Sequence, residues 1–234
     1  MFKLALSAGH WRGTSKGCPA YLDKEKTSEW TLNARICEKL EALLSDYEGI
    51  EILRLDDRTG AKNILLDDRT DAANKWNADF YLSVHHNGGI NGGKGGGIVA
   101  YAYTKASAAS YEWQKALYDA AVAATGLVGN RATPLAKKNL HEVRESKMPA
   151  VLMECGFMDS ATDCPIILTE AFADKMARAF CEVIVAKSGA VKKKESKTLY
   201  RVQVGAFEKL ENAQAMLAEL EKAGFEGYIK TDAR

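Results

Sequence analysis

At 234 residues, with 47 % hydrophobic and 27 % charged residues, the chain has the make-up of a globular protein with one ordinary domain and a small second unit. A formal net charge of +1 gives no global electrostatic reason to expect nucleic acid as a partner. There is no apolar run of about 18 residues, so membrane insertion is not expected, and five cysteines without a C-x-x-C pair argue against a disulfide framework or a structural zinc ribbon.

In chain order, Phe2 to Ser7 reads as a strand ending in Ala8-Gly9-His10. It is too short for the apolar core of a signal peptide, so synthesis in the cytoplasm is expected. A loop from Trp11 to Thr27 leads to a helix over about Ser28–Asp46, with Leu32, Ile36, Leu40 and Leu44 as its buried stripe and Ser28 as its N-cap. Ile50 to Leu55 reads as a strand, Leu65 to Trp76 as a helix, and Phe80 to Val84 as a strand leading into His85-His86-Asn87. Seven glycines crowd residues 88 to 97 ahead of a strand at Ile98–Tyr103. A helix at Ala108–Thr125, a strand at Ala150–Met153 and a closing helix at Thr169–Lys187 follow. This alternation predicts an α/β fold, a layered mixed or mostly parallel sheet with helices on both faces. Residues 189–198 are polar, basic and non-periodic and read as a linker. Beyond it, a strand (Tyr200–Val204), a helix (about Leu210–Ala223) and a strand (Tyr228–Thr231) predict a small C-terminal βαβ unit.

His10, His85 and Glu154 each close a predicted strand, and Glu29 sits in the first turn of the first helix. Parallel strands deliver their carboxyl ends to one edge of the sheet, where such folds place their sites. Two neutral imidazoles and one carboxylate make a sound Zn²⁺ shell with a position left open, and a further carboxylate nearby can take a proton from water. Glu25 competes with Glu29 for the ligand role, since a first-turn glutamate also serves simply to complement the helix dipole. Cys155, adjacent to Glu154, points to the opposite strand face and is read as packing rather than as a nucleophile. His86 is expected on the face opposite His85 and is not counted as a ligand, while His141 is read as an exposed loop histidine. Arg58, Arg69 and Arg144 are read as partners of Asp57, Asp68 or Glu145 rather than of a substrate carboxylate. The glycine tract lacks the Gly-Lys-Ser/Thr ending of a phosphate loop. It either lets backbone approach an extended polymer or spans a gap.

Four stretches also carry a family resemblance: Ser7-Ala-Gly-His10, Glu29-Trp-Thr-Leu-Asn33, Ser83-Val-His-His-Asn87 and Met148-Pro-Ala-Val-Leu-Met-Glu-Cys-Gly-Phe157. In this order over residues 1–188 they resemble the zinc-dependent N-acetylmuramoyl-L-alanine amidases of the Amidase_3 type, cell-wall hydrolases of bacteria and their phages. The resemblance implies that His10, Glu29 and His85 bind Zn²⁺, that Glu154 is the catalytic carboxylate and that the partner is peptidoglycan. Trp11 stands where the family often has glycine, and His86 where it usually has a small residue. Cytoplasmic synthesis with a substrate in the wall suits a phage or prophage endolysin that acts after release. Tyr200-Arg-Val-Gln-Val-Gly-Ala-Phe207 with Gly224-Phe225 resembles the first half of a sporulation-related (SPOR) repeat, a module that binds glycan strands. Residues 199–234 would form a partial wall-binding unit, pack on the core, or pair with another copy as a homodimer. The competing functions are another zinc-dependent cell-wall amide hydrolase, peptidase or deacetylase, and a non-catalytic peptidoglycan-binding protein. A two-carboxylate glycosidase leaves the histidines unexplained.

Overall fold

The computed structural model describes residues 1–193, 200 and 202–231. The chain divides into two units, Met1–Lys193 and Lys194–Arg234.

The first unit opens with β1 (Phe2–Ala8), α1 (Glu29–Leu44), β2 (Tyr47–Glu48), β3 (Ile50–Arg54), α2 (Leu66–Trp76) and β4 (Phe80–Asn87). It continues with β5 (Ile98–Ala102), α3 (Ala108–Thr125), β6 (Leu135–Lys137), α4 (His141–Glu145) and β7 (Ala150–Phe157). It ends with α5 (Cys164–Ile167), α6 (Glu170–Ser188) and β8 (Val191–Lys192). Six strands form one sheet in the order β3-β1-β4-β7-β5-β6. All neighbours run parallel except β5 and β7, which are antiparallel. The fold is thus mixed α/β with a largely parallel sheet.

Side chains two apart on a strand share a face, and here each face has its own cover. Leu4 and Leu6 of β1, Phe80, Leu82 and Val84 of β4, and Val151, Met153 and Cys155 of β7 face the main core. Helices α1, α3 and α6 supply its other side through Leu32, Ile36, Leu40, Trp113, Leu117, Phe172 and Phe180. Trp113 stacks on Phe80 with ring centroids 3.9 Å apart. The other face carries Ala5, Tyr81 and Leu152 and is covered by Ala73 of α2 and Val143 of α4. Three helices are capped by a hydroxyl: Ser28 accepts from the Thr31 amide, Ser107 from Ser110 and Thr169 from Phe172. Each such cap contributes about 1 kcal/mol.

The structure departs from the sequence reading at three places. Strands β4 and β7 run on through Asn87 and Phe157, so His85 and Glu154 lie within strands and strict alternation fixes which face each takes. His141 starts the short helix α4 and contacts Thr70 and Asp67 of α2 at 3.3 Å each, so it is not an exposed loop residue. The first positions of the predicted linker belong to the first unit: Gly189 caps α6 in the left-handed region, and Val191–Lys192 pairs antiparallel with Tyr47–Glu48.

In the second unit α7 (Leu210–Lys222) is present. The strands expected on either side of it do not form: residues 202–207 and 225–231 enter no ladder. A strand is stable only with a neighbour to accept its hydrogen bonds, and none lies beside these segments among the described residues. Linker positions 194–198 and strand position Arg201 lie outside the described residues. No helix among the described residues is long and apolar enough to cross a membrane.

Candidate active site

His10 follows β1 in a left-handed conformation (φ 65), uncommon for a residue with a side chain. Its carbonyl and that of Ala8 accept from Arg69 at 2.7 Å each, and Asn33 of α1 donates to the Gly9 carbonyl at 3.1 Å. Arg69 is therefore a buried brace for the end of β1 and not a partner of Asp68. Gly9 is required by contact: a Cβ there would lie 2.1 Å from the His85 ring.

The Ser28 cap sets Glu29 at the amino end of α1, over the carboxyl edge of the sheet. Glu29 Oε2 lies 3.1 Å from His10 Nε2, and its Oε1 lies 2.9 Å from His85 Nδ1. The two imidazoles meet edge to face, with ring centroids 5.1 Å apart. One ligand atom from each of His10, Glu29 and His85 falls within 4.8 Å of the others, a group that could hold a metal ion. Glu25 is exposed in the preceding loop and is not in this group. Metal–ligand bonds of about 2.0–2.2 Å place tetrahedral ligand atoms about 3.3–3.6 Å apart, so the donor set fits such an ion with small adjustments.

Glu154 pairs in register with His85 across β4 and β7 and so shares its face of the sheet. Burial pushes its carboxyl up to about 7, against the opposing pull of His85. Its Oε2 is buried and has no hydrogen-bond partner among the described residues. Burial alone would raise Glu29, but the hydrogen bonds from His10 and His85 hold it well below the usual carboxylate range. Burial likewise opposes charge on His85, yet its contacts to Glu142 and Glu29 raise it to about 10. Glu142 is drawn down to about 2, burial being outweighed by His85, Arg69 and Tyr81.

The neighbours of these residues serve other ends. His86 points to the opposite face, where its Nδ1–H donates to Asn33 Oδ1 at 2.8 Å, and burial keeps it neutral with a pKa lowered to about 3. It thereby locks α1 to β4. Cys155 is fully buried in the main core with its thiol on the Met153 carbonyl, and burial raises its pKa far from the reactive range. Arg144 pairs with Glu145 as expected, whereas Arg58 pairs with Glu41 rather than Asp57. The glycine tract packs on the chain's own loops: a Cβ at Gly97 would meet the Gly129 backbone at 2.5 Å, and Asp163 accepts from the Gly97 amide. Glu142 was not among the residues singled out from sequence. The available signal was the set of hydroxyls of Ser7 on β1 and Tyr81 and Ser83 on β4, buried on one face of the sheet, which demands a buried acceptor.

Histidine and carboxylate donors from three elements, with a further buried carboxylate beside them at the carboxyl edge of a parallel sheet, define a candidate metallohydrolase site. The model of the N-acetylmuramoyl-L-alanine amidase family matches residues 4–186, and that of the SPOR domain residues 169–231, the two overlapping along α6. The chain is 34 % identical over 230 residues to the sporulation-specific N-acetylmuramoyl-L-alanine amidase of Bacillus subtilis (strain 168), covering 98 % of this chain and 84 % of that protein. It is 29 % identical over 201 residues to the endolysin of Bacillus phage SPP1, covering 82 % of this chain and 70 % of that one. The crystal structure of an N-acetylmuramoyl-L-alanine amidase from Clostridium difficile 630 is similar with a TM-score of 0.69 and 28 % identity, over 79 % of this chain and 95 % of that one. The chain belongs to the N-acetylmuramoyl-L-alanine amidase family.

Proposed function

We propose that this chain hydrolyses the amide between the lactyl group of N-acetylmuramic acid and the L-alanine of the peptidoglycan stem peptide, with zinc held by His10, Glu29 and His85 and with Glu154 as general base. Family membership supports the reaction class. The observation that carries the assignment of residues is the meeting of three donor side chains from separate elements beside a carboxylate with an unpartnered oxygen. When bound, zinc polarises the scissile carbonyl and lowers the pKa of water. Glu154 takes a proton from the attacking water and returns it to the alanine nitrogen as the C–N bond breaks. The products are a free lactyl carboxylate and a free amino-terminal alanine. Mass analysis of digested peptidoglycan tests the reading. New amino-terminal alanine without new reducing ends is expected, whereas new reducing ends, cleavage within the stem peptide, or no change would each refute it.

All four proposed site residues lie in the first unit. A chain ending after Lys193, which keeps the β2–β8 pair, is expected to turn over soluble muropeptide as the full chain does and to be retained less well on whole cell walls. The second unit is thus assigned to wall attachment, in keeping with the SPOR match. A truncated chain that folds and takes up metal but fails on soluble muropeptide would return that unit to the active site.

A further inference from the structure

Strand β4 presents Tyr81, Ser83 and His85 in succession on the face covered by α2 and α4, since each lies two residues from the next. A buried row of polar groups is costly unless each finds a partner. Glu142 serves all three. Its Oε1 accepts from the Tyr81 hydroxyl at 2.8 Å and from Ser7 at 2.8 Å. Its Oε2 accepts from Ser83 at 2.9 Å and lies 3.2 Å from His85 Nε2. Arg69 donates to the Ser7 oxygen at 2.9 Å, so the Ser7 proton is committed to Glu142.

Three hydroxyls require only acceptor oxygens, which a neutral amide or a backbone carbonyl could supply. A full negative charge in a buried position is expensive and calls for a positive partner. Arg69 reaches Ser7 and backbone carbonyls, and among the described residues the nitrogen donor in hydrogen-bond contact with Glu142 is His85 Nε2, through which a metal bound at the other ring nitrogen would supply that positive charge. An imidazole has two nitrogens, and a hydrogen bond at one decides which is left to bind a metal. With Nε2–H given to Glu142, the remaining nitrogen is Nδ1, the one that faces Glu29.

We propose that Glu142 is a positioning residue for the metal centre: held by Ser7, Tyr81 and Ser83, it fixes the tautomer and ring plane of His85 so that Nδ1 is the metal donor. The proposal rests on the reading of His10, Glu29 and His85 as the zinc ligands. Glu142 does not touch substrate and acts through His85. Carboxylate partners of this kind typically govern metal affinity by about 10–100-fold.

Glu142→Gln tests this, because the amide keeps the size and an acceptor oxygen, and hydroxyl protons can rotate to suit it. The zinc affinity of the full chain is measured by competition with a chromophoric chelator, alongside the visible spectrum of the Co²⁺-loaded protein. The expected result is zinc binding weaker by roughly 10–100-fold with shifted Co²⁺ bands and an unchanged circular dichroism spectrum. Affinity and Co²⁺ spectrum both equal to the unaltered chain would overturn the proposal. A second measurement needs no substitution: nitrogen-15 NMR of the histidines in the zinc-loaded chain. Metal at His85 Nδ1 with a proton at Nε2 supports the proposal, and the reverse assignment defeats it whatever the variant does. An unaltered chain that binds no zinc would instead strike down the ligand reading itself, and this proposal with it.

Discussion

Glu154→Gln is expected to lower turnover of a muramoyl-peptide by roughly 10²–10⁴-fold, the usual contribution of a positioned general base, while leaving fold and zinc content intact. The amide matches the acid in shape and polarity, so the substitution removes proton transfer and little else. It is tolerated structurally because Glu154 Oε2 has no hydrogen-bond partner to lose among the described residues. The three proposed ligands lie on the β1 loop, α1 and β4, none of them on β7. The adjacent residue supplies the control. Cys155 is on the other face of β7, inside the main core, and Cys155→Ser is expected to leave turnover unchanged. Rates for both variants, with zinc content measured on each, decide the matter. A fully active Glu154→Gln, or a dead but folded and zinc-loaded Cys155→Ser, would overturn the mechanism.

The sheet was legible where periodicity had room to declare itself. Strand β1 and helices α1, α3 and α6 are long enough for period 2 or 3.6 to separate a buried face from an exposed one. Strand β6, with three residues, and helix α4, with five, are too short to show any period, and they went unseen. The antiparallel direction of β5 was equally hidden, because it depends on how the glycine tract carries the chain past β7. The strands expected around α7 illustrate the opposite failure. Tyr200, Val202 and Val204 alternate suitably, but a strand is made by its partner, and these side chains are largely exposed. At the site, His10 and Glu29 were legible as chemistry because each stands at an element boundary, and His85 because it follows the run Phe80–Val84, although β4 continues to Asn87; the structure brings the three together. Glu142 was not, since its importance comes from a one-turn helix lying over three strand residues 59 to 135 positions away.

Loss of a metal ligand is the other large effect expected. Four-ligand structural zinc sites hold their ion with about 10–16 kcal/mol, or about 2.5–4 kcal/mol per ligand if shared evenly, which is on the order of 10²–10³ in affinity for each. Chelation should therefore abolish amidase activity and added zinc restore it, at one ion per chain. Among single substitutions, His85→Ala should lose the metal, but it also leaves the buried carboxylates of Glu29 and Glu142 without the imidazole that both contact. Its instability would confuse the result. His10→Ala is the cleaner test, because the His10 side chain is 25 % exposed and its ring contacts Glu29, which keeps its contact with His85. The expected outcome is a folded chain that retains no zinc after dialysis and no activity. Glu29→Gln should behave likewise, and Glu25→Gln, altering an exposed loop side chain, should retain both metal and turnover. Tight stoichiometric zinc in a folded His10→Ala, or loss of zinc in Glu25→Gln, would show that the ion is held elsewhere.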